Sequence, residues 1–369
     1  MTTTQIIQAF QTLTDAALAT RPKGWSFKVK NYKQAITILG KHDGPLESVD
    51  HALAVLRAGG MKLSGEREGG PYKSKILLKI GELLSTGRLE AAEKAAANPH
   101  VVATKEFLRI PGVGPAKASE LIANGFDSLD ALEKAVEAAN LGERDHPLNR
   151  MQCIGFRHYR DLEERIPREE MREWSEYLEF LLEQTGIEVH ASEVVGSYRR
   201  GAKDSGDIDF QICLPRGADG PEQAEKLMDT IRDFLVGDEV MQEEDIWSHG
   251  NHKLMGVVRR ATSEQGGRAR HLDIWVFTED QYPFALLYAT GSATFNIEMR
   301  NDALQQGWSL SDKGLRLGNP KGRPPSVEEC RERLGKDGME TEADIFRFLG
   351  VEWVEPGART LFRSRSPLA

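Results

Sequence analysis

The spacing of apolar residues predicts a helical front part of the chain. In GPYKSKILLKIGELLSTG, apolar residues recur at helical spacing at Ile76, Ile80, Leu83 and Leu84. Gly87 follows this run as a natural C-terminal stop. The stretch is therefore expected to form an amphipathic helix that ends at Gly87.

A second helical pattern lies in PREEMREWSEYLEFLLEQTG, where Pro167 suits a first helical turn. One face of this helix carries Met171, Trp174, Leu178 and Leu181, and Gly186 ends it. Beyond it, SEVVGSY, GDIDFQICLP, KLMGVVRR and RHLDIWVF are typical of strands between Gly-, Asp- and Ser-rich loops. The order of elements predicts an α+β fold in which helical modules precede a module with a sheet.

Composition places the chain among folded, multidomain proteins. Its 369 residues suit two to four domains, and 40% hydrophobic with 28% charged residues is typical of a globular protein. No apolar run approaches the roughly 20 residues of a membrane span, and the start lacks a secretory signal. Three distant cysteines fit reduced thiols in a nuclear, cytoplasmic or virion setting, and a secreted protein is not expected.

Net charge alone does not decide the partner. The chain carries −9, but residues 1–90 hold 13 Lys or Arg against 8 Asp or Glu. Binding to nucleic acid depends on local positive potential, so the whole-chain charge does not exclude it.

The motif GSYRRGAKDSGDIDFQI carries the most distinctive chemistry. If GDID lies in a strand, Asp207 and Asp209 share one face. Two such carboxylates repel unless a cation lies between them, and oxygen ligands favour Mg²⁺ or Mn²⁺. Asp273, in the apolar strand RHLDIWVF, is the candidate third ligand for a two-metal site.

The residues before these aspartates suit phosphate binding. A Gly-Ser turn offers backbone N–H groups, Ser197 a hydroxyl, and Arg199 or Arg200 a bidentate guanidinium. The alternative is a glycine-rich turn into an edge strand with solvated acids. The ordered combination of these residues with Asp273 favours the phosphate-binding interpretation.

GSYRRGAKDSGDID, LLYATGSATFNIEMR and IPGVGPAKA together resemble the DNA polymerase X family, over about residues 28–358. The resemblance implies a nucleotidyltransferase-type palm with a mixed β-sheet, preceded by helical lyase and helix-hairpin-helix domains. It predicts a lyase-like domain at 1–94, a helix-hairpin-helix subdomain at 95–167, a palm at 168–279 and a nucleotide-selection subdomain at 280–369.

The resemblance also implies roles in the palm and in the last subdomain. Asp207, Asp209 and Asp273 match a triad that binds two Mg²⁺ ions, for which Mn²⁺ can substitute. Residues that match triphosphate contacts are Ser197, Arg200, Ser205, Gly206 and Arg165. Residues that match the sugar pocket and the face against the nascent base pair are Tyr288, Gly291, Asn296 and Arg300.

Two further motifs resemble DNA-binding parts of the family. IPGVGPAKASEL matches a helix-hairpin-helix in which Gly112 and Gly114 allow close approach to a phosphate. The carbonyls of Leu108, Ile110 and Val113 match those that bind Na⁺ or K⁺. The alternative for this motif is an ordinary tight loop between helices.

The N-terminal block resembles a 5′-deoxyribose-phosphate lyase domain, with Lys79 at the position of the Schiff-base nucleophile. Lys28, Tyr32 and Lys75 match a 5′-phosphate pocket. Lys75 lies one turn from Lys79, and a neighbouring cation lowers an amine pKa. Exposed lysine pairs are usually just solvated, which is the alternative interpretation.

The chain departs from the family pattern in several places. The hairpin of the lyase block reads LSGEREGGPY, which leaves phosphate binding there open. Ala289 stands where members usually carry Phe or Trp, and we expect relaxed discrimination against ribonucleotides. His271, matched to a DNA-contacting arginine, and Trp275 replace arginines that pair with the catalytic acids, so we expect a weaker penalty for closing and sensitivity of activity to pH.

The resemblance implies a template-dependent, gap-filling DNA polymerase of base excision repair with 5′-deoxyribose-phosphate lyase activity. Its expected partners are gapped or nicked double-stranded DNA and dNTPs. It is expected to be a monomer without a BRCT-type docking module. The short segment SHGNHKLMGV favours templated synthesis over terminal transfer. A terminal transferase and a non-catalytic DNA-binding scaffold are the alternatives.

Overall fold

The computed structural model divides the chain into two compact units, Met1–Phe156 and Arg157–Ala369. The structure describes residues 2–42, 44–63, 72, 74–138, 146–217, 220–260 and 267–360. Most of the predicted lyase hairpin, at 64–71, lies outside these residues. The four predicted domains stay a prediction, and the second of them, at 95–167, extends across the boundary between the two units.

The described part of the first unit is helical. Its helices are α1 Thr3–Thr20, α2 Trp25–Leu39, α3 Val49–Ala58, α4 Lys75–Thr86, α5 Glu90–Ala96, α6 Pro99–Phe107, α7 Pro115–Ala123, α8 Leu129–Ala138 and α9 Arg150–Leu162, the last of which ends in the second unit. The helix predicted before Gly87 is confirmed as α4. Ile76, Ile80 and Leu83 are buried, and Gly87 caps the helix with a φ of 74°.

The second unit begins with a palm-like α/β part. Its elements are β1 Ile166–Pro167, α10 Arg168–Gln184, β2 Ala191–Val194, α11 Gly196–Arg199, β3 Asp204–Ser205, β4 Ile208–Leu214, α12 Gly220–Gly237, β5 Met241–Gly250, β6 Lys253–Val258 and β7 Arg270–Thr278. Five strands form one sheet in the order β2–β4–β7–β6–β5. Only the central pair, β4 and β7, is parallel, so the sheet is mixed as predicted.

The predicted apolar face of α10 is confirmed, because Met171, Trp174, Leu178 and Leu181 are all buried against the sheet. The expectation that SEVVGSY is one strand is wrong. The strand β2 ends at Val194, and the chain turns into α11 at Gly196, whose φ of +62° cannot continue a strand.

The remaining part of this unit follows β7. Its elements are α13 Tyr282–Thr290, α14 Ala293–Gln305, β8 Trp308–Ser311, β9 Gly314–Leu317, α15 Val327–Leu334, α16 Glu342–Phe348 and a 3-10 turn at Pro356–Thr360. A separate core that includes Phe295, Phe346 and Phe348 holds them together. Within the described ranges, no helix combines the length and apolar composition needed to cross a bilayer.

Candidate active site

The two central strands of the sheet bring two acids side by side. Asp209 on β4 lies directly opposite Asp273 on the parallel strand β7. Asp207 precedes β4, and all three carboxylates line one cleft of about 770 Å³. The structure therefore brings together the three acids that the sequence singled out.

Asp207 and Asp209 do not occupy equivalent positions. The sequence pattern placed both in one strand, but β4 begins at Ile208. Asp207 thus lies exposed in the turn before the strand, whereas Asp209 is recessed in the sheet. One acid of the pair faces solvent and the other faces the floor of the cleft.

Burial of Asp209 makes its negative charge unfavourable. Burial, followed by repulsion from Asp207 and Asp273, raises the pKa of Asp209 to about 7. His271 and Arg200 oppose this rise but do not cancel it. The cleft therefore contains negative charge that is not fully compensated, as expected where a cation binds.

The third acid is also incompletely paired. Oδ1 of Asp273 lies 3.0 Å from Nε2 of His271, yet neither atom is aligned for a hydrogen bond with any described residue. The three carboxylates offer only oxygen donors, which fits a hard divalent cation. Across the described ranges, no three acidic, histidine or cysteine side chains are already close enough to enclose a metal.

A glycine places the phosphate-binding motif directly against Asp209. A Cβ at Gly196 would lie 2.8 Å from Oδ2 of Asp209, and the φ of +62° also favours glycine. The next residue, Ser197, donates a hydrogen bond from its hydroxyl to Oγ of Ser205 at 2.9 Å. Ser197 lines the cleft, while Ser205 is buried behind it.

Arg165 and Gly206 lie together at one end of the cleft. A Cβ at Gly206 would approach Nη1 of Arg165 to 2.9 Å, so the glycine leaves room for the guanidinium. Nε of Arg165 donates to Oδ1 of Asp204 at 2.8 Å, and Nη2 donates to the Asp204 carbonyl at 3.1 Å. Arg165 is therefore already paired with an acid where it reaches the cleft.

The two arginines of the motif have different surroundings. Arg200 lines the cleft, and its Nη1 donates to the Thr290 carbonyl at 2.6 Å. Arg199 instead forms two ion pairs. Its Nε lies 2.8 Å from Oε2 of Glu193, and its Nη1 lies 2.8 Å from Oε2 of Glu342. Of the two candidates, only Arg200 is placed to meet a phosphate.

Arg199 belongs to a buried ion-pair chain that the sequence pattern did not reveal. Nη1 of the fully buried Arg359 donates to the other carboxylate oxygen of Glu342 at 2.6 Å. The Arg359 guanidinium also lies 5.1 Å from the ring centre of Phe295. The pairing joins positions about 140 residues apart, which no local spacing signals.

The predicted nucleotide-selection residues divide into two groups. Tyr288, Gly291 and Asn296 line the cleft, and Nδ2 of Asn296 donates to the Tyr288 carbonyl at 2.7 Å. Arg300 lies off the main cleft, with its guanidinium 5.3 Å from the ring centre of Tyr288. Cleft residues that the sequence analysis missed include Gln211, Phe277, Ser292, Ala293 and Asp312.

The candidate lyase residues lie in the first unit. Burial lowers the pKa of Lys79, and Lys75 and Lys28 lower it further against the opposing effect of Glu82. The sequence analysis named the cationic neighbour as the cause, but burial is the larger one. Lys28 and Tyr32 line a pocket of about 300 Å³, which neither Lys75 nor Lys79 lines.

The candidate hairpin connects α6 to α7. Gly112 adopts a φ of +83°, and its carbonyl accepts a hydrogen bond from Nε2 of Gln152 at 3.0 Å. Gly114 is the exposed N-cap of α7. A monovalent cation is predicted to bind the carbonyl oxygens of Leu108, Ile110 and Val113. Of these oxygens, that of Ile110 accepts a hydrogen bond from the Val113 amide at 3.0 Å.

Comparison with known proteins finds matches to three polymerase domain families within residues 105–360. The DNA polymerase beta palm matches residues 165–279, the DNA polymerase beta thumb 285–360 and the fingers domain of DNA polymerase lambda 105–163. DNA polymerase lambda of Rattus norvegicus is 29% identical over 347 residues, which is 93% of this chain and 54% of that protein. DNA polymerase lambda of Arabidopsis thaliana is 27% identical over 342 residues, which is 90% of this chain and 58% of that protein. The chain thus spans a little over half the length of these relatives.

Proposed function

The chain belongs to the DNA polymerase X family, and we propose that it is a template-dependent, gap-filling DNA polymerase. The observation that carries this proposal is the pairing of Asp209 with Asp273 on adjacent strands, at the floor of a cleft that Asp207 also lines. Phosphate-binding groups from the GSYRRG motif border the same cleft. This arrangement supports nucleotidyl transfer from a dNTP to a primer 3′-hydroxyl.

The triphosphate is proposed to lie against Ser197, Arg200, Gly206 and Arg165. The Ser197 hydroxyl, which donates to Ser205 in this structure, becomes a phosphate donor when it turns toward the cleft, and Arg200 supplies a cationic fork at the same wall. Gly206 leaves the space that Arg165 needs to reach a phosphate oxygen. Ser205 acts indirectly by holding the Ser197 hydroxyl.

Asp207, Asp209 and Asp273 are the residues that would hold divalent ions, and we propose a pair of Mg²⁺ ions with Mn²⁺ as a substitute. The fit rests on the all-oxygen donor set, the raised pKa of Asp209 and Oδ1 of Asp273, which lies 3.0 Å from His271 but makes no hydrogen bond with a described residue. Such ions stabilise negative charge and activate the attacking oxygen when bound. The Asn296–Tyr288 contact and Gly291 shape the sugar pocket, and Ala289 leaves room there for a ribose.

A lyase step through Lys79 is proposed for the first unit. A Schiff-base nucleophile requires an unprotonated amine, and burial together with Lys75 and Lys28 lowers the pKa of Lys79. The substrate is proposed to be an incised abasic site whose 5′-phosphate binds Lys28, Tyr32 and Lys75. Together the two activities suit base excision repair.

DNA contacts are proposed for the hairpin glycines Gly112 and Gly114, for His271 near the primer and for Arg300 on α14. A Na⁺ or K⁺ ion at the carbonyls of Leu108, Ile110 and Val113 would assist phosphate binding. The chain is proposed to act as a monomer on gapped or nicked DNA, in the nucleus or in a virion or the cytoplasm.

A single-nucleotide gap-filling assay with Mg²⁺ or Mn²⁺ tests the polymerase. Asp209→Ala should abolish extension, while the exposed control Asp233→Ala should retain it. Lys79→Ala should abolish borohydride trapping on an incised abasic site and spare extension. Extension of single-stranded primers equal to that of gapped DNA would instead indicate a terminal transferase.

A further inference from the structure

We propose that the cleft contains a second ligand subsite, which takes a flat heteroaromatic base that carries an exocyclic amine. The subsite consists of Gln211, Trp275 and Phe277 on the sheet and Asp312 in the turn between β8 and β9, all of which line the cleft. We call it the base subsite. It goes beyond the polymerase activity, because none of these residues has a role in the nucleotidyl transfer proposed above.

Gln211 supplies an acceptor that lacks a partner. The residue is only 4% exposed, and its Nε2 donates to the Ala285 carbonyl at 3.2 Å. This hydrogen bond fixes the amide, so Oε1 is the free end, and it finds no hydrogen-bond partner in the described part of the chain. A buried carbonyl oxygen without a donor is unfavourable, so a ligand N–H that reaches Oε1 would be stabilised.

Two aromatic side chains stand next to this acceptor. Trp275 is opposite Gln211 in the β4–β7 register, and Phe277 follows two residues later on the same face of β7. Their rings are tilted by only 15° and their centres are 6.4 Å apart. A flat ring that stacks between two others requires their planes to be about 7 Å apart, twice the roughly 3.4 Å spacing of stacked bases. The Trp275 and Phe277 rings therefore need to separate only slightly to admit a base.

Lys253 favours this position of the indole. It is opposite Trp275 in the β6–β7 register, and its ammonium lies 5.1 Å from the ring centre of Trp275. A cation over the indole face is an attractive contact that restrains the ring. Trp275 is nevertheless 36% exposed and lines the cleft, so a ligand can reach it.

The polar groups of the base subsite select donors and disfavour phosphates. The Gln211 Oε1 atom and the Asp312 carboxylate both accept hydrogen bonds, and the cation next to the subsite, the Lys253 ammonium, is positioned over the indole ring of Trp275. An anionic phosphate would be repelled by Asp312. An amino-substituted base offers both the flat ring that stacks and the N–H groups that these two acceptors require.

Binding of nucleosides to the full chain, without DNA or metal, tests the proposal. Adenosine should quench indole fluorescence, and purine riboside, which has the same ring without the amine, should bind about five- to tenfold more weakly. Gln211→Leu should remove this difference between the two nucleosides. Trp275→Phe should remove the quenching, whereas Trp25→Phe, outside the cleft, should keep it.

Three outcomes would overturn the proposal: equal affinity for the two nucleosides, an undiminished preference in Gln211→Leu, or loss of adenosine binding in Arg200→Ala. The last would place the nucleoside at the phosphate end. If Gln211→Leu does not fold, Asp312→Asn serves as the second variant and should weaken adenosine more than purine riboside. Because adenosine lacks phosphates, these results do not depend on whether gaps are filled.

Discussion

Gly196 and Gly201 border the same short helix, and both have positive φ, +62° and +77°. They differ in what a side chain would meet. A Cβ at Gly196 would lie 2.8 Å from Oδ2 of Asp209, whereas a Cβ at Gly201 would meet nothing within 4 Å. At Gly196 the absence of a side chain therefore positions a carboxylate, and at Gly201 it serves only the turn.

This pair gives a controlled prediction. Gly196→Ala and Gly201→Ala should each lower stability by about 1 kcal/mol, because both place an L side chain at positive φ. Only Gly196→Ala should also displace Asp209 and reduce gap filling by more than about tenfold. Thermal unfolding and steady-state kinetics measure the two effects. Equal activity in both variants would contradict the role given to Gly196.

Single residues also show where sequence reasoning succeeds. That Asp207, Asp209 and Asp273 line one cleft could be expected from the chemistry of neighbouring carboxylates, although strand alternation misplaced Asp207, which lies in the turn before β4. Gln211 and Asp312 were not predictable, because a polar residue in a strand or turn has no sequence signal for the cleft it faces. Arg199 was left open against Arg200, since its partner Glu342 is distant in sequence.

At the scale of elements, the hairpin after α6 depends on close packing against α9. Gly155 on α9 faces the hairpin, and a Cβ there would lie only 2.3 Å from the Pro111 carbonyl oxygen. Gln152, one turn earlier, donates to the Gly112 carbonyl at 3.0 Å. The missing side chain at Gly155 and the hydrogen bond from Gln152 thus position the loop that is proposed to contact DNA.

Gly155→Ala should therefore destabilise the protein although alanine is the better helix former. Replacement of glycine by alanine within a helix usually stabilises a protein by about 1 kcal/mol, whereas overpacking destabilises it by about 1–3 kcal/mol. The control Gly237→Ala, at the end of α12 with open space around the position, should be neutral or stabilising. Thermal unfolding tests the sign, and affinity for gapped DNA should fall only in Gly155→Ala. A higher unfolding midpoint for Gly155→Ala would contradict this packing.

Elements with a strong period were predicted best. The helices α4 and α10 end where Gly87 and the TG pair at 185–186 indicated. The strands β1, β3, β5, β8 and β9 were missed, and β1 and β3 have only two residues each. β5 begins MQEED and carries a register shift, which breaks the alternation, and β8 and β9 have only four residues each. Trp308 of β8 and Leu315 of β9 are buried in a core with Phe295 and Met299 of α14, and local pattern does not encode these distant contacts.

At the scale of the whole molecule, the proposed active site opposes stability. The folded-state pKa of Asp209, about 7, lies above its ordinary value of 3.8. Between these values the folded state retains a proton that the unfolded state releases, so stability falls as pH rises through this window. The acids are thus expected to destabilise the metal-free protein at neutral pH.

Asp209→Asn should accordingly unfold at a higher temperature than the unsubstituted chain at pH 8 without metal, and the difference should vanish near pH 4. Mg²⁺ should raise the unfolding midpoint of the unsubstituted chain more than that of Asp209→Asn. The exposed control Asp233→Asn should show neither effect. Calorimetry with and without Mg²⁺ measures both. If the unfolding midpoint of Asp209→Asn at pH 8 is at or below that of the unsubstituted chain, the Asp209 carboxylate does not destabilise the metal-free protein.

The pairing of Arg165 with Asp204 changes how salt should act on nucleotide binding. An unpaired arginine that takes up a phosphate displaces small ions from that phosphate, and the affinity then weakens as salt increases. Arg165 already holds Asp204 at 2.8 Å, so a phosphate that binds there exchanges one anion for another and frees a carboxylate. If Arg165 binds a phosphate as proposed, we expect the ionic-strength dependence of nucleotide binding to be smaller than a count of the arginines around the cleft suggests.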